Sequence, residues 1–300
     1  MVRENLDAFA ASSTNLEINT VMIHIIKTGE ALRFRHKLRP IPFARRQYLE
    51  QVVDKLIFIG AVFPADPCAC LYAYRTVCKP NKDGTLRMRI EYREMNAQTD
   101  KDAFHVPGID HIWPILSGTK YFASLDLLIG YHEVEVDFRD RAKTAFLTHL
   151  GLYIYNVMPF GLCNGPATFQ RLMERVVGLL IGVGVLLYLN DVLIYPDTPE
   201  QLIETLGTVL KLLAKAGLNC KATKCLLFTE RVHYLGRVVS KDGIYPDLAK
   251  LEKIWQWPKP DKGNGFASFL GHCNNYKDVI LSFAHFSDAL YKESRSELIE

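Results

Sequence analysis

Tyr188-Leu189-Asn190-Asp191 lies between two apolar runs, residues 183–187 and 192–195, and its reading decides the fold of this chain. Two β-rich runs on either side of a short polar turn read as a hairpin, and this one is apolar enough to be buried. An acid at the tip of buried strands is a natural cation site. Its partner is Asp126, in Tyr121-Phe122-Ala123-Ser124-Leu125-Asp126-Leu127, a second short apolar strand ending on a single acid. Asp126 and Asp191 are therefore expected to face one pair of divalent cations. Two ions roughly 3.5–4 Å apart activate an attacking oxygen and steady the leaving one, which is the chemistry of nucleotidyl transfer.

Composition is consistent with that reading and excludes others. The 300 residues are 49% hydrophobic and 23% charged, enough for a large core or two subdomains and too apolar for a disordered chain. A net charge of +3 permits nucleic-acid binding without arguing for it. Local charge says more: Arg33, Arg35, His36, Lys37, Arg39, Arg45 and Arg46 crowd a stretch that also holds Phe34 and Phe43, read either as a phosphate-tracking arm or as a solvated connector. Seven cysteines, with no C-x-x-C spacing, support neither a disulfide framework nor a zinc ribbon, so reduced thiols are expected. The start of the chain has no basic-then-apolar signal, and the apolar stretch 176–189 falls short of the ~20 residues of a membrane span. It reads as buried helix followed by buried strand, and an intracellular location, cytoplasmic or nuclear, without membrane attachment is expected.

Along the chain, 44–59 has apolar residues at helical spacing and closes on Gly60. Residues 74–79 and 86–92 alternate as paired strands across Pro80-Asn81-Lys82-Asp83-Gly84, a hairpin turn that projects Lys82, with Arg87 close behind. A second hairpin is expected over 142–148 and 152–157, then a helix over 164–180 capped by Asn164, and an amphipathic helix over 198–216. Residues 232–240 and Ile244 read as one more hairpin around Lys241-Asp242-Gly243, followed by helix to about Trp255 and again from Ala267. Helices mixed with consecutive hairpins, without regular βαβ alternation, predict an α+β fold whose antiparallel sheet carries the acids.

The order of motifs is more specific than any one of them. Tyr92-Arg93-Glu94-Met95-Asn96, Ser124-Leu125-Asp126 with Gly130-Tyr131-His132, Lys143-Thr144-Ala145-Phe146, Met158-Pro159-Phe160-Gly161, Pro166-Ala167-Thr168-Phe169-Gln170, Tyr188-Leu189-Asn190-Asp191 and Tyr234-Leu235-Gly236 follow one another. Together, over about residues 20–292, they resemble the reverse transcriptase of gypsy-type long-terminal-repeat retrotransposons. The resemblance implies a right-hand polymerase: an N-terminal basic arm (1–43), fingers (44–118), a palm (119–242, with 138–160 partly fingers) and a truncated thumb or connection (243–300). It implies extension of a primer on an RNA or DNA template with deoxynucleoside triphosphates.

It also implies roles. Asp126 and Asp191 match two of three palm carboxylates that hold paired Mg2+, with Mn2+ as substitute. Tyr131 matches the aromatic beneath the incoming sugar. Lys82 and Arg87 match the finger hairpin that closes on the triphosphate, and Phe160 and Gln170 the segment lining the nucleotide and template pocket. Tyr234, Leu235 and Gly236 match the hairpin that grips the primer end, and Lys224, with Lys221 as competitor, is the candidate acid for the leaving pyrophosphate.

The chain departs from that pattern at the third carboxylate, which is Asn190 here. An asparagine oxygen can coordinate magnesium but brings no formal charge. His105, Gly108 and Asn275 replace the usual proline, arginine and aromatic. Elements of this family encode protease upstream and ribonuclease H and integrase downstream, so a polyprotein fragment is implied. The expected function is an RNA-directed DNA polymerase domain impaired by Asn190, the alternative being a catalytically inert nucleic-acid-binding relic.

Overall fold

The computed structural model describes residues 2–10, 16–29, 33–68, 70, 72–80, 84–104, 111–128, 130–260 and 263–296. Lys82, His105 and Gly108 lie outside them. In chain order the regular elements begin with β1 (Ile23–His24), α1 (Phe43–Phe58), β2 (Val62–Pro64), β3 (Tyr74–Pro80), β4 (Leu86–Ile90), α2 (Arg93–Gln98), α3 (Ile112–Leu116) and β5 (Phe122–Asp126). Next come β6 (Glu135–Val136), β7 (Phe146–Thr148), β8 (Gly151–Tyr155), α4 (Gly165–Val177), β9 (Val185–Tyr188), β10 (Asp191–Ile194), α5 (Pro199–Lys215) and β11 (Leu226–Thr229). The last are β12 (Arg231–Tyr234), β13 (Arg237–Ser240), β14 (Gly243–Pro246), α6 (Leu248–Trp255), α7 (Gly263–Cys273) and α8 (Phe283–Ser296).

Two compact units divide these elements: Met1–Gly108 with Tyr121–Thr229, and Ile109–Lys120 with Glu230–Glu300. Within the second unit Arg237 on β13 is buried, grips Asp278 with two 2.7 Å hydrogen bonds and stacks its guanidinium 4.6 Å over the Trp113 ring of α3. That contact and the continuous β12-β13-β14 ladder keep these strands with the C-terminal helices.

In the first unit a four-stranded antiparallel sheet runs β11-β5-β10-β9. Its strands are apolar enough to be covered by helices, and α4 and α5 supply the cover. In α4, Ala167, Phe169, Leu172, Met173 and Val177 are buried at helical spacing, and in α5 Leu202, Leu206, Val209, Leu210 and Leu213 do the same. All of these but Ala167 join Leu125, Val185, Leu187, Val192 and Ile194 in one core. Thr198 caps α5 by accepting from Gln201 N–H, and Pro199 follows in its first turn.

A second sheet of the same unit is ordered β2-β8-β7-β3-β4, antiparallel except for β3 against β7. Val53 and Leu56 of α1 pack on its core with Val62, Phe146 and Tyr155.

Four local expectations are corrected. Residues 141–144 form a 3-10 turn, so the hairpin strand starts at Phe146. Asn164 makes no cap; its side chain is taken by Asp100 O and Asp102 N–H. The stretch 176–189 is not buried throughout, because α4 stops at Val177 and the following turn leaves Leu179 97% and Val183 74% exposed. The segment 232–240 is not one strand: Leu235 and Gly236 take positive φ, +46° and +88°, and turn it into the first hairpin of a three-stranded meander. Among the described residues no helix is long and apolar enough to cross a membrane.

Candidate active site

Strand register brings the two acids together. Asp126 ends β5, Asp191 begins β10, and the two are direct partners across the antiparallel ladder. Directly opposed residues of such a pair project from the same face with Cβ atoms about 4.5–5.5 Å apart. The Asp191 carboxyl is pushed above the usual range, first by burial and then by the negative charge of Asp126, with the Lys224 ammonium opposing. Lys224 Nζ lies 3.2 and 3.1 Å from the two Asp126 carboxylate oxygens. It is delivered by a 3-10 turn, Ala222–Lys224, whose base is fixed where Lys221 N–H donates to Asp126 O at 2.8 Å. Of the two competing lysines, Lys224 brings its side chain to the Asp126 carboxylate, whereas Lys221 gives only its backbone N–H to the Asp126 main-chain carbonyl.

The β9–β10 turn that leads into Asp191 is held from behind. Leu189 has φ +53°, a left-handed conformation that costs a non-glycine residue on the order of 1–2 kcal/mol. Gln170, 1% exposed on α4, accepts the Leu189 N–H through Oε1 at 2.7 Å and donates from Nε2 to Glu174 at 3.1 Å. Its amide thus braces the turn. Replacing Gln170 with leucine keeps the volume and orphans a backbone donor, so the expected loss is about 1–2 kcal/mol of unfolding free energy, read by urea denaturation. Gly130 makes room for the same turn: it has φ +53°, and a Cβ there would stand 3.2 Å from Asn190 Nδ2. Neither brace was read from the sequence, although Gly130 and Gln170 both lie in the ordered motifs and a close backbone approach is a usual reason for such a glycine.

Asn190 Oδ1 is buried without a hydrogen-bond partner. A buried carbonyl in that state lacks roughly 1–3 kcal/mol of compensation, and an amide oxygen is a lone pair suited to a hard cation. The donor set Asp126, Asp191 and Asn190 is all oxygen, which fits Mg2+ or Mn2+. It is one charge short of three carboxylates, and among the described residues no group of three or more His, Cys, Asp and Glu is gathered for a metal.

Aromatic residues extend the site. The Tyr131 ring stacks on Phe160 at 5.1 Å and tilts against Phe169 at 5.6 Å, while the Arg87 guanidinium lies 5.9 Å over the Phe160 ring. Phe160 is 45% exposed, and Tyr131 is half-buried with its phenol raised by that burial. Arg87 and Phe160 also line a cavity of ≈ 740 Å³ with Tyr48, His132 and Tyr155. Arg87, Phe160 and Tyr131 are thus contiguous. Tyr234, Leu235 and Gly236 form the β12–β13 turn of the second unit, where Gly236 takes φ +88° and a Cβ would displace the tip of the Lys250 side chain, 2.8 Å away at Nζ.

The basic stretch is partly structural. Arg35 donates to Pro67 O and Cys70 O, His36 meets Glu94 at 3.2 Å and Arg45 donates to Cys78 O.

An antiparallel sheet backed by two helices, with opposed aspartates at one end, is the palm of a nucleic-acid polymerase. The profile described as reverse transcriptase (RNA-dependent DNA polymerase) matches residues 79–239. The chain belongs to this family, in the branch found in retrotransposon Pol polyproteins. It is 31% identical over 268 residues, 89% of its length, to the retrovirus-related Pol polyprotein from transposon 297 of Drosophila melanogaster, covering 25% of that protein. It is 31% identical over 284 residues, 92% of its length, to the polyprotein from transposon gypsy of the same species, covering 27%. The chain spans about a quarter of the length of these relatives. Its fold is shared with the foamy viral protease-reverse transcriptase solved with double-stranded DNA, at a TM-score of 0.87 and 21% identity over 97% of this chain and 50% of that one. The foamy viral protein with an RNA/DNA hybrid matches at a TM-score of 0.81 and 20% identity, over 96% and 39%.

Proposed function

We propose that this chain is the DNA-polymerising domain of a retrotransposon Pol polyprotein, extending a primer on an RNA or DNA template, and that Asn190 slows its nucleotidyl transfer severely. The observation that carries this reading is the register of Asp126 against Asp191, with the unpartnered Asn190 oxygen at the β9–β10 turn just before Asp191. Asp126 and Asp191 would hold Mg2+ or Mn2+ with help from Asn190. When bound, the ions supply the charge that activates the primer 3′ hydroxyl and stabilises the leaving pyrophosphate.

The remaining groups bind and orient. Arg87 offers a planar fork to the triphosphate, and Lys82 is its companion on the finger hairpin. Tyr131, seated on Phe160 and Phe169, forms the floor under the deoxyribose and crowds out a 2′ hydroxyl. Lys224 carries a proton at Nζ beside Asp126 for the departing pyrophosphate. Tyr234, Leu235 and Gly236 grip the primer end. Template and primer partners are supported by foamy viral relatives that hold an RNA/DNA hybrid and double-stranded DNA. In a full polyprotein, protease, ribonuclease H and integrase domains would be joined to this one.

Primer extension on an RNA template, with Mg2+ and with Mn2+, tests the reading by comparing the chain with its Asn190→Asp form. Extension by the aspartate form that a further Asp126→Asn change abolishes supports it. Absence of extension by both, with template binding that weakens as salt rises, leaves the inert nucleic-acid-binding alternative.

Tyr131 has its own test. In the Asn190→Asp background, Tyr131→Ala is expected to admit ribonucleotides, lowering the deoxy-over-ribo preference in kcat/KM by about a hundredfold or more, in the range of 2–3 kcal/mol. Unchanged discrimination removes Tyr131 from that role.

A further inference from the structure

Lys250 stands in the first turn of α6, and its side chain lies along the β12–β13 turn of the same unit. Measured from where a Cβ of Gly236 would stand, Lys250 Nζ is at 2.8 Å, Cδ at 3.6 Å and Cε at 3.8 Å. The end of the lysine thus rests on the glycine. Gly236 permits this in two ways: it takes the φ of +88° that the turn requires, and it leaves the space of a side chain to the lysine.

Helix and turn are tied together through Asp247. Its N–H donates to Gly236 O at 3.4 Å, and its own carbonyl accepts the Lys250 N–H at 2.9 Å. Asp247 Oδ1 accepts the Ala249 N–H at 3.0 Å as the cap of α6, while Oδ2 faces His233 Nδ1 at 3.6 Å. Both carboxylate oxygens of Asp247 are thereby engaged. Among the described residues Lys250 has no carboxylate partner, and it is exposed. A cation in the first turn of a helix also works against the helix dipole. The ammonium is therefore held at the turn, open to solvent, with its charge left for an anion from outside the chain.

We propose that Lys250 is a further primer-binding residue, its ammonium contacting a backbone phosphate of the primer strand next to the 3′ end. The inference rests on the reading that Tyr234, Leu235 and Gly236 grip that end. A lysine is a compact point charge with three donors, suited to a single phosphate and indifferent to the base beyond it. Such a contact sets the position of a strand without reading its sequence. Gly236 then has a second task, which is to admit a cation from α6 to the place where the primer passes.

Binding is the test, because it reads the contact whether or not the chain polymerises. A fluorescent DNA primer annealed to a longer template is titrated with the natural chain and with Lys250→Ala, and anisotropy is followed at several salt concentrations. At ~0.1 M salt Lys250→Ala is expected to bind about three- to tenfold more weakly whatever the sequence, with the slope of log K against log salt shallower by about 1. Lys250→Arg keeps the charge and is expected to keep most of the affinity and the slope. Lys211→Ala, at an exposed lysine of α5, is expected to keep both. Single methylphosphonate linkages, which remove one phosphate charge at a time, then locate the contact. At one of the last few primer linkages the substitution is expected to weaken the natural chain by the same factor and Lys250→Ala no further, a coincidence that misfolding of a variant does not imitate. Equal affinities of the natural chain and Lys250→Ala overturn the inference and leave the polymerase reading standing. So does coupling to a template phosphate, or losses that simply add at every linkage. Absence of binding by the natural chain at every salt concentration overturns the reading of the turn, and the inference with it.

Discussion

Restoring aspartate at position 190 is expected to raise primer extension by about a thousandfold over the natural chain. The estimate follows from charge: one unit charge at about 4 Å and an effective dielectric near 20 is worth roughly 4 kcal/mol, and each ~1.4 kcal/mol is tenfold in rate. The rest of the site is in place for that gain, because Asp126 and Asp191 are opposed in register and Gln170 and Gly130 hold the turn that presents residue 190. The substitution also has a signature outside catalysis. A third carboxylate beside Asp191, whose carboxyl is already raised by burial and by Asp126, adds repulsion that only a cation relieves. Asn190→Asp is therefore expected to unfold at a lower temperature than the natural chain in EDTA and to recover with millimolar Mg2+, since a ligand bound only by the folded state stabilises it. Thermal scans of both proteins, with and without Mg2+, check this. Equal responses to the ion by the two proteins would mean that residue 190 does not face it.

The second large effect concerns stability. Glu133 is 1% exposed; its Oε1 accepts the Asn219 N–H at 3.1 Å, while Oε2 has no partner. Burial raises its carboxyl to about 8, only partly offset by the Asn219 hydrogen bond. The folded chain therefore carries Glu133 neutral at pH 7, whereas the unfolded chain ionises it above its ordinary value of 4.5. For an acid raised on folding, the unfolded state binds fewer protons between those two values, so stability falls as pH climbs from about 4.5 to about 8 and is flat outside that window. By pH 7 the cost is roughly 3 kcal/mol. Glu133→Gln removes the ionisation and keeps the acceptor for Asn219. It is expected to match the natural chain near pH 4.5, to exceed it by about 3 kcal/mol at pH 7 and about 4 kcal/mol at pH 8, and to lose the downward slope between. Urea unfolding at three pH values measures this, and parallel slopes for the two proteins would disprove it.

Much of the fold was legible because its signals are local. Helical spacing placed α1 and α5 to within a residue or two, and alternation with an Asp-Gly turn placed β3 and β4. The errors came where local pattern and tertiary demand diverge. Asn164 has the chemistry of a cap, but the loop 100–102 competes for its amide. Leu179 and Val183 are apolar, yet they occupy a connection that no element covers. Leu235 gave no sign of a turn because a leucine at positive φ is tolerated only when the ladder on both sides insists on it.

By itself the sequence determined that two acids end two apolar strands, that one of three expected carboxylates is an asparagine, and that the motifs follow the order of a reverse transcriptase. These are properties of residue type and spacing, which period-2 and period-3.6 patterns encode directly. Only the tertiary structure decided that Asp126 and Asp191 are direct partners, that Lys224 and not Lys221 brings its side chain to them, and that Gln170 braces Leu189 from another element. It alone placed Arg237 and Trp113 in one unit. Periodicity says which face of a strand or helix is buried, but register and partner are set by packing between segments far apart in the chain, where a shift of one residue would turn Asp191 away from Asp126.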